Sequence, residues 1–310
     1  MQSRKSQMAL KKIRNEVSGT IFSLPFYVAK ELGYFEAEGL DVELVKRSPG
    51  RPSASSDGVR LIEDHELVSS FGGPSPFEQG DTALYRACEW GQVRRTQDSE
   101  VGGKLVAKRA ARASQAIIVR PDSPYLIPQD LANVPVGVSF HHGSHYVALQ
   151  LLEGFLPREE IKVVHVDGGN RFVALRDGKV EAVAVMEPWI TVAEKLGYKV
   201  IAEAHYVGLE IGSPSLDAET FEAINRAVRK AVAVLQKDPY PYVKYLIADV
   251  DPSIVELEPQ DFSRSRLRYA NPSVYSQKDF ERSYNWMRSW NLLKADTYDN
   301  LVDNRVLELA

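Results

Sequence analysis

Three histidines fall within five residues in His141-His142-Gly143-Ser144-His145. Imidazole titrates near neutral pH, so such a group can hold an anion, move a proton or ligate a metal. His142 and His145 are spaced i, i+3 and share a face if a helix starts there. No thiolate or carboxylate completes a metal-site spacing, so no metal and no cofactor is expected. Gly143 and Ser144 would let a ligand approach the backbone and take its N–H groups. The plainer alternative is that the segment only caps a helix. A second glycine turn, Gly72-Gly73-Pro74-Ser75, permits the same close approach, with Ser75 as a hydroxyl donor. It is equally readable as an ordinary turn. His65 is either a base in a cleft or a strand-edge histidine. Arg171 could fork onto a carboxylate or sulfonate, or pair with Asp167 at the surface. Cys88 reads as a small buried hydrophobe in mid-helix.

These residues need elements to position them. The chain has 310 residues, 44% apolar and 26% charged, enough for a sizeable core. Short apolar runs alternate with helical patterns, which predicts an α/β fold. A helix is expected over 24–33 and a strand over 40–45, then a Ser/Pro/Gly-rich loop over 47–58. Further strands are expected at 66–71, 105–107, 115–119, 134–140, 162–166, 182–186 and 199–203. Helices are expected at 77–91, 146–155, 170–176, 189–196 and 217–236, with a polar loop at 92–103. The last long helix carries Phe221, Ile224, Ala227, Val228, Ala231 and Leu235 on one stripe.

The net charge of −4 and the absence of a basic stripe exclude nucleic acid as a partner. A single cysteine allows no intramolecular disulfide. No run approaches the ~18 apolar residues of a membrane span, so no membrane insertion is expected. Residues 1–12 are basic but lack an apolar leader core. As written the chain reads as cytoplasmic, and as periplasmic if a leader was removed.

The segment Tyr27-Val-Ala-Lys-Glu-Leu-Gly-Tyr-Phe-Glu-Ala-Glu-Gly-Leu-Asp-Val-Glu-Leu-Val resembles the opening of the sulfonate/nitrate/taurine-type substrate-binding proteins. Val136-Gly-Val with His142-Gly-Ser-His-Tyr, Ala174-Leu-Arg-Asp-Gly-Lys-Val-Glu-Ala, and Val185-Met-Glu-Pro-Trp follow in that family's order. The resemblance spans roughly Ser18 to Lys237. It implies a type II periplasmic-binding-protein fold: two α/β lobes, a two-strand hinge and a central cleft. Lobe 1 would comprise residues 1–119 and 205–310, and lobe 2 residues 120–204. Helix N-termini would face the cleft and favour an anion there.

On this reading Ser18 and Thr20 in the first loop line the cleft, unless Ser23 merely caps the helix. Glu187 would meet a cationic group or hydroxyl, and Trp189 would stack on the ligand; otherwise they cap a helix and pack in the core. The expected function is to bind a small, anionic organic ligand, with an ABC-transporter permease as partner.

The stretch Asp64-His-Glu-Leu-Val-Ser-Ser-Phe-Gly-Gly is similar to an enzyme branch of the fold, the aromatic sulfinate desulfinases. Those carry a first-loop cysteine and an arginine before the "FGG" run. Here Ser18-Gly-Thr and Ser70 stand instead. The alternative is therefore an enzyme on the same fold acting on a small aromatic, organosulfur or organonitrogen compound. His65, His142 and His145 would then be its acid and base groups.

Overall fold

Runs rich in Val, Ile and Ala become strands, because branched side chains pack well on a pleated surface. They are β1 (Lys11–Val17), β2 (Leu40–Lys46), β3 (Arg60–Ile62), β4 (Leu84–Cys88), β5 (Lys104–Val119), β6 (Val136–Val138), β7 (Val163–Asp167), β8 (Ala182–Met186), β9 (Lys199–Gly212) and β10 (Arg268–Tyr269). A computed structural model, which describes residues 9–47, 53–168 and 170–306, joins these strands in one sheet. Residues 1–8 at the basic N-terminus, residues 48–52 of the Ser/Pro/Gly-rich loop, and Gly169 lie outside the described residues. The strand order is β2-β1-β4-β9-β5-β8-β6-β7-β3, with β10 on β5.

The helices are α1 (Leu24–Glu31), α2 (Tyr34–Ala37), α3 (Glu89–Asp98), α4 (Gly143–Glu153), α5 (Arg171–Arg176), α6 (Trp189–Lys195), α7 (Ala218–Lys237), α8 (Lys244–Ile247), α9 (Gln277–Ser289) and α10 (Tyr298–Leu301). Asp217 caps α7 by accepting from the Thr220 amide at 2.7 Å, and its apolar stripe is buried as the periodicity predicts.

Two long antiparallel strands hold the molecule's halves together. Residues 104–108 of β5 pair with 209–212 of β9, beside β4. Residues 112–119 pair with 199–207, beside β8. The register slips between Lys108 and Arg112, so a bulge marks the passage from one half to the other. Chain order foretells most of this but not β3. Those residues leave the first half and pair antiparallel with β7 at the edge of the second.

Three expected elements are corrected. The strand expected at 66–71 is a 3-10 turn, His65–Leu67, followed by irregular chain. The Asp64 carboxylate accepts from the Glu66 amide at 2.9 Å and turns the backbone there. The helix expected at 77–91 is a turn followed by β4, broken at Gly80, whose φ of 77° suits glycine. The polar loop expected at 92–103 contains most of α3. That helix buries Gln92, Arg94, Arg95 and Thr96, so its inward face is polar and shows no apolar periodicity.

Candidate functional site

The C-terminal ends of β1, β4 and β8 and the loop after β6 converge on one cavity of about 250 Å³. Crevices at the carboxyl ends of strands are where open α/β sheets take ligands, because helix N-termini collect there. The first half contributes Glu16, Ser18, Thr20, Phe22, Arg47 and the β4 residues Tyr85 to Cys88. The second contributes Ser139, His142, Gly143, Ser144, Arg171 and Met186. Gln115 and Tyr206, from the two long strands, form the floor.

The cavity is electropositive. Three guanidiniums line it, those of Arg47, Arg86 and Arg171, against one carboxylate, that of Glu16. Arg47 pairs with Glu16 at 3.1 Å, and Arg86 with the buried Glu210 at 3.2 Å. Arg171 has no carboxylate within ion-pair distance among the described residues. Its Nε donates to the Ala184 carbonyl at 2.9 Å and one Nη to the Ser139 hydroxyl. Burial pushes its pKa down to about 10, so it remains a cation at neutral pH. Beside it, the Gly143 and Ser144 amides open α4 without a backbone acceptor among the described residues. They add the positive end of an 11-residue helix to the same wall.

Gly143 is required here: a Cβ would stand 2.4 Å from the Tyr206 hydroxyl. The buried Gln115 amide nitrogen and one Nη of Arg86 have no partner among the described residues, so both are donors open to a ligand in the cavity. The apolar part of the wall is made by Val17, Phe22, Ala87 and Met186.

His142 is the histidine of the 141–145 cluster that lines this cavity. Its Nδ1 donates to the Phe140 carbonyl at 2.9 Å, which leaves Nε2 as an acceptor. Burial, then repulsion from Arg95, holds it well below the usual imidazole range, so it is neutral.

Several expected site residues lie elsewhere. His141 is fully buried at a φ of 59°, and its Nε2 bonds the His65 carbonyl at 2.8 Å. His145 packs against Phe140 with ring centroids 4.8 Å apart and tilted, and accepts from the His141 amide. His65 packs on both, behind the cavity. Ser75 donates to Glu16 at 2.9 Å, which steadies the carboxylate that pairs with Arg47. Gly72 and Gly73 have positive φ, and Gly72 backs His142 without lining the cavity. Glu187 caps α6 through Thr191, and its carboxyl is pushed up to about 7 by burial. Trp189 stacks on Phe172 at 5.6 Å.

The sequence reading missed Cys88. It ends β4 rather than sitting in mid-helix, lines the cavity, and accepts from the Gly91 amide at 3.3 Å as the N-cap of α3. Burial raises its thiol pKa, with Arg95 opposing. The signal that would have found it is the strand–helix junction at 88/89, hidden by the polar inward face of α3.

With this geometry in hand, the class is clear: the chain has the periplasmic-binding-protein fold. The alkanesulfonate-binding protein SsuA of Xanthomonas axonopodis pv. citri, solved bound to MOPS, superposes with a TM-score of 0.65 at 14% identity, over 94% of this chain and 96% of that one. A Candida albicans gene product with the generic periplasmic-binding-protein fold gives 0.65 at 12%, over 97% and 98%. The desulfurization enzyme DSZB gives 0.59 at 15%, over 95% and 96%. Residues 101–206 match a family described as NMT1-like, and residues 22–60 match one described as NMT1/THI5 like. No curated protein sequence matches the chain.

Proposed function

We propose that this chain binds a small organic anion, a sulfonate or carboxylate with a short apolar body, in the cavity between its two halves. The observation that carries this reading is Arg171, a cation set beside the two amides that open α4, with no carboxylate partner for the one and no acceptor for the others among the described residues. An anionic group would take the free Nη and the amides together, and the apolar wall would cover its body. The lobes would be residues 1–119 with 205–310, and 120–204, with β3 crossing from the first to the edge of the second, closing about β5 and β9. Solved sulfonate-binding neighbours, one of them assigned to a sulfonate ABC transporter as its periplasmic protein, support a role as the solute-binding partner of an ABC-transporter permease. They also support a periplasmic site of action.

A second reading is favoured by Cys88 and His142, a thiol and an acceptor imidazole on the same cavity. On it the chain is an enzyme cleaving a small organosulfur or related compound. His65 and His145, away from the cavity, would take no direct part.

The test is a thermal-shift and calorimetric screen of ethanesulfonate, benzenesulfonate, benzenesulfinate and benzoate, followed by mass spectrometry of each hit. A saturable rise in melting temperature that Arg171→Ala abolishes supports the anion site. Unchanged mass after long incubation supports binding alone, whereas a new product supports the enzyme reading. If no anion raises the melting temperature, both readings fall.

A further inference from the structure

On the other side of Tyr206 lies a second cavity, of about 370 Å³, between α3, α4, α9 and β9. Tyr206 forms a wall of both. The rear cavity is aromatic and acidic. Trp90 meets Tyr206 at 5.7 Å and Trp286 at 6.2 Å between ring centroids. Two carboxylates, Glu89 and Glu153, reach it. Glu153 is satisfied, since it accepts from the indole N–H groups of Trp286 and Trp290.

Glu89 is different. It is 4% exposed, and one oxygen, Oε1, takes both the Tyr275 and Ser283 hydroxyls. Its Oε2 has no partner among the described residues. The one cation within 4 Å of the carboxylate among them is Arg282, at 3.9 Å, and that side chain is two-thirds exposed. Arg112 acts on it only through its longer-range field. Burial raises the Glu89 carboxyl above its ordinary range, as expected of a charge lacking full compensation.

A buried carboxylate with a free oxygen, walled by two indoles and a phenol, is complementary to an alkylammonium ion. The carboxylate supplies charge and the rings supply attraction for the cation and cover for its methyl or methylene groups. We propose that this rear cavity binds a compact organic cation, held by Glu89 and enclosed by Trp90, Trp286 and Tyr206. Arg282 stands at the mouth and is displaced when the cation enters. The site is independent of the anion reading, because it shares no charged residue with the front cavity.

The experiment titrates the full chain with choline, with n-butylammonium, and with 3,3-dimethylbutan-1-ol as the neutral counterpart of choline. It reads tryptophan emission and calorimetric heat, with sodium chloride as the reference. The expected result is saturable binding of one or both cations, with the alcohol at least about tenfold weaker. Glu89→Gln keeps acceptors for Tyr275 and Ser283, and should weaken the cation at least about tenfold with anion binding at the front unchanged. Preference for choline over n-butylammonium identifies a quaternary head group, and the reverse a primary amine. The proposal is overturned if the cations do no more than sodium chloride, if the alcohol binds as well, or if Glu89→Gln binds as before. Should Glu89→Gln fail to fold, Trp286→Leu takes its place, and unchanged affinity in that variant is equally fatal.

Discussion

At the scale of single residues, the front cavity depends on small groups in tight places. Gly143→Ala puts a methyl group against the Tyr206 hydroxyl, so α4 must shift and its free amides lose their aim. Calorimetry should show anion affinity reduced at least about tenfold, the order expected from losing a charge-assisted hydrogen bond. Tyr206→Phe in the same chain removes the closest atom of that clash and should recover part of the loss. Cys88 gives a second prediction. Its thiol is buried and its pKa raised, so iodoacetamide should label it slowly at pH 7 to 8, and a saturating anion should slow the labelling further. Fast labelling that no anion affects would place the thiol outside the occupied cavity. Cys88→Ser distinguishes the two functional readings: binding persists on both, but any turnover is lost only if the sulfur does chemistry.

At the scale of elements, the loop from β6 into α4 is held from behind by a cluster of imidazoles. His141 bonds the His65 carbonyl, His145 accepts from the His141 amide, and His165 accepts from the Phe140 amide at 2.9 Å. Burial lowers all three of His141, His145 and His165, His141 to about 4. The unfolded chain takes a proton at His141 near pH 6.5, whereas the folded chain resists it down to about pH 4. Between those values the unfolded state holds more protons. Stability from this group is therefore fully present above pH 6.5 and is lost as pH falls, by about 3 kcal/mol in all. Glu187 acts in the opposite sense, because its raised carboxyl binds a proton more readily in the folded state below about pH 7. A comparison isolates the histidine: His141→Asn tolerates the left-handed backbone and removes the ring. Urea unfolding across pH 4 to 7 should show a shallower acid loss in that variant than in the parent. Equal slopes would mean that His141 is not shielded from protons in the folded state.

At the scale of the whole molecule, β5 and β9 are the long connections between the two sheet halves, with the register slip at Lys108/Arg112 between them. On the proposed function the two halves would close about this connection, since a ligand touching both favours the closed arrangement. Small-angle scattering should show a smaller radius of gyration on saturation with a binding anion, and no change for Arg171→Ala under the same conditions. An unchanged radius in the parent, with binding intact, would mean a preformed and static cavity.

Much of this architecture was legible along the chain. The α/β alternation, the long amphipathic α7 and the two-lobed fold class rest on local patterns: apolar spacing, caps, and the glycine-marked turn before β2. Such signals involve neighbours in sequence, and they survive without knowledge of what lies across the fold. Arg171, His142, Gly143 and Ser144 could be nominated because they stand at strand ends, where a cleft would be. Which of the nominees meet could not be read, since a one-residue change of direction turns a side chain from cavity to core: His142 faces in, while His141 and His145 face away. The burial of polar α3, the crossing of β3 to the far edge, and the arrival of Cys88 and Arg47 at the site depend on partners distant in sequence. Those were decided by tertiary structure, because a buried guanidinium such as Arg95 is tolerable only where the carbonyls of Ser70 and His141 come to meet it.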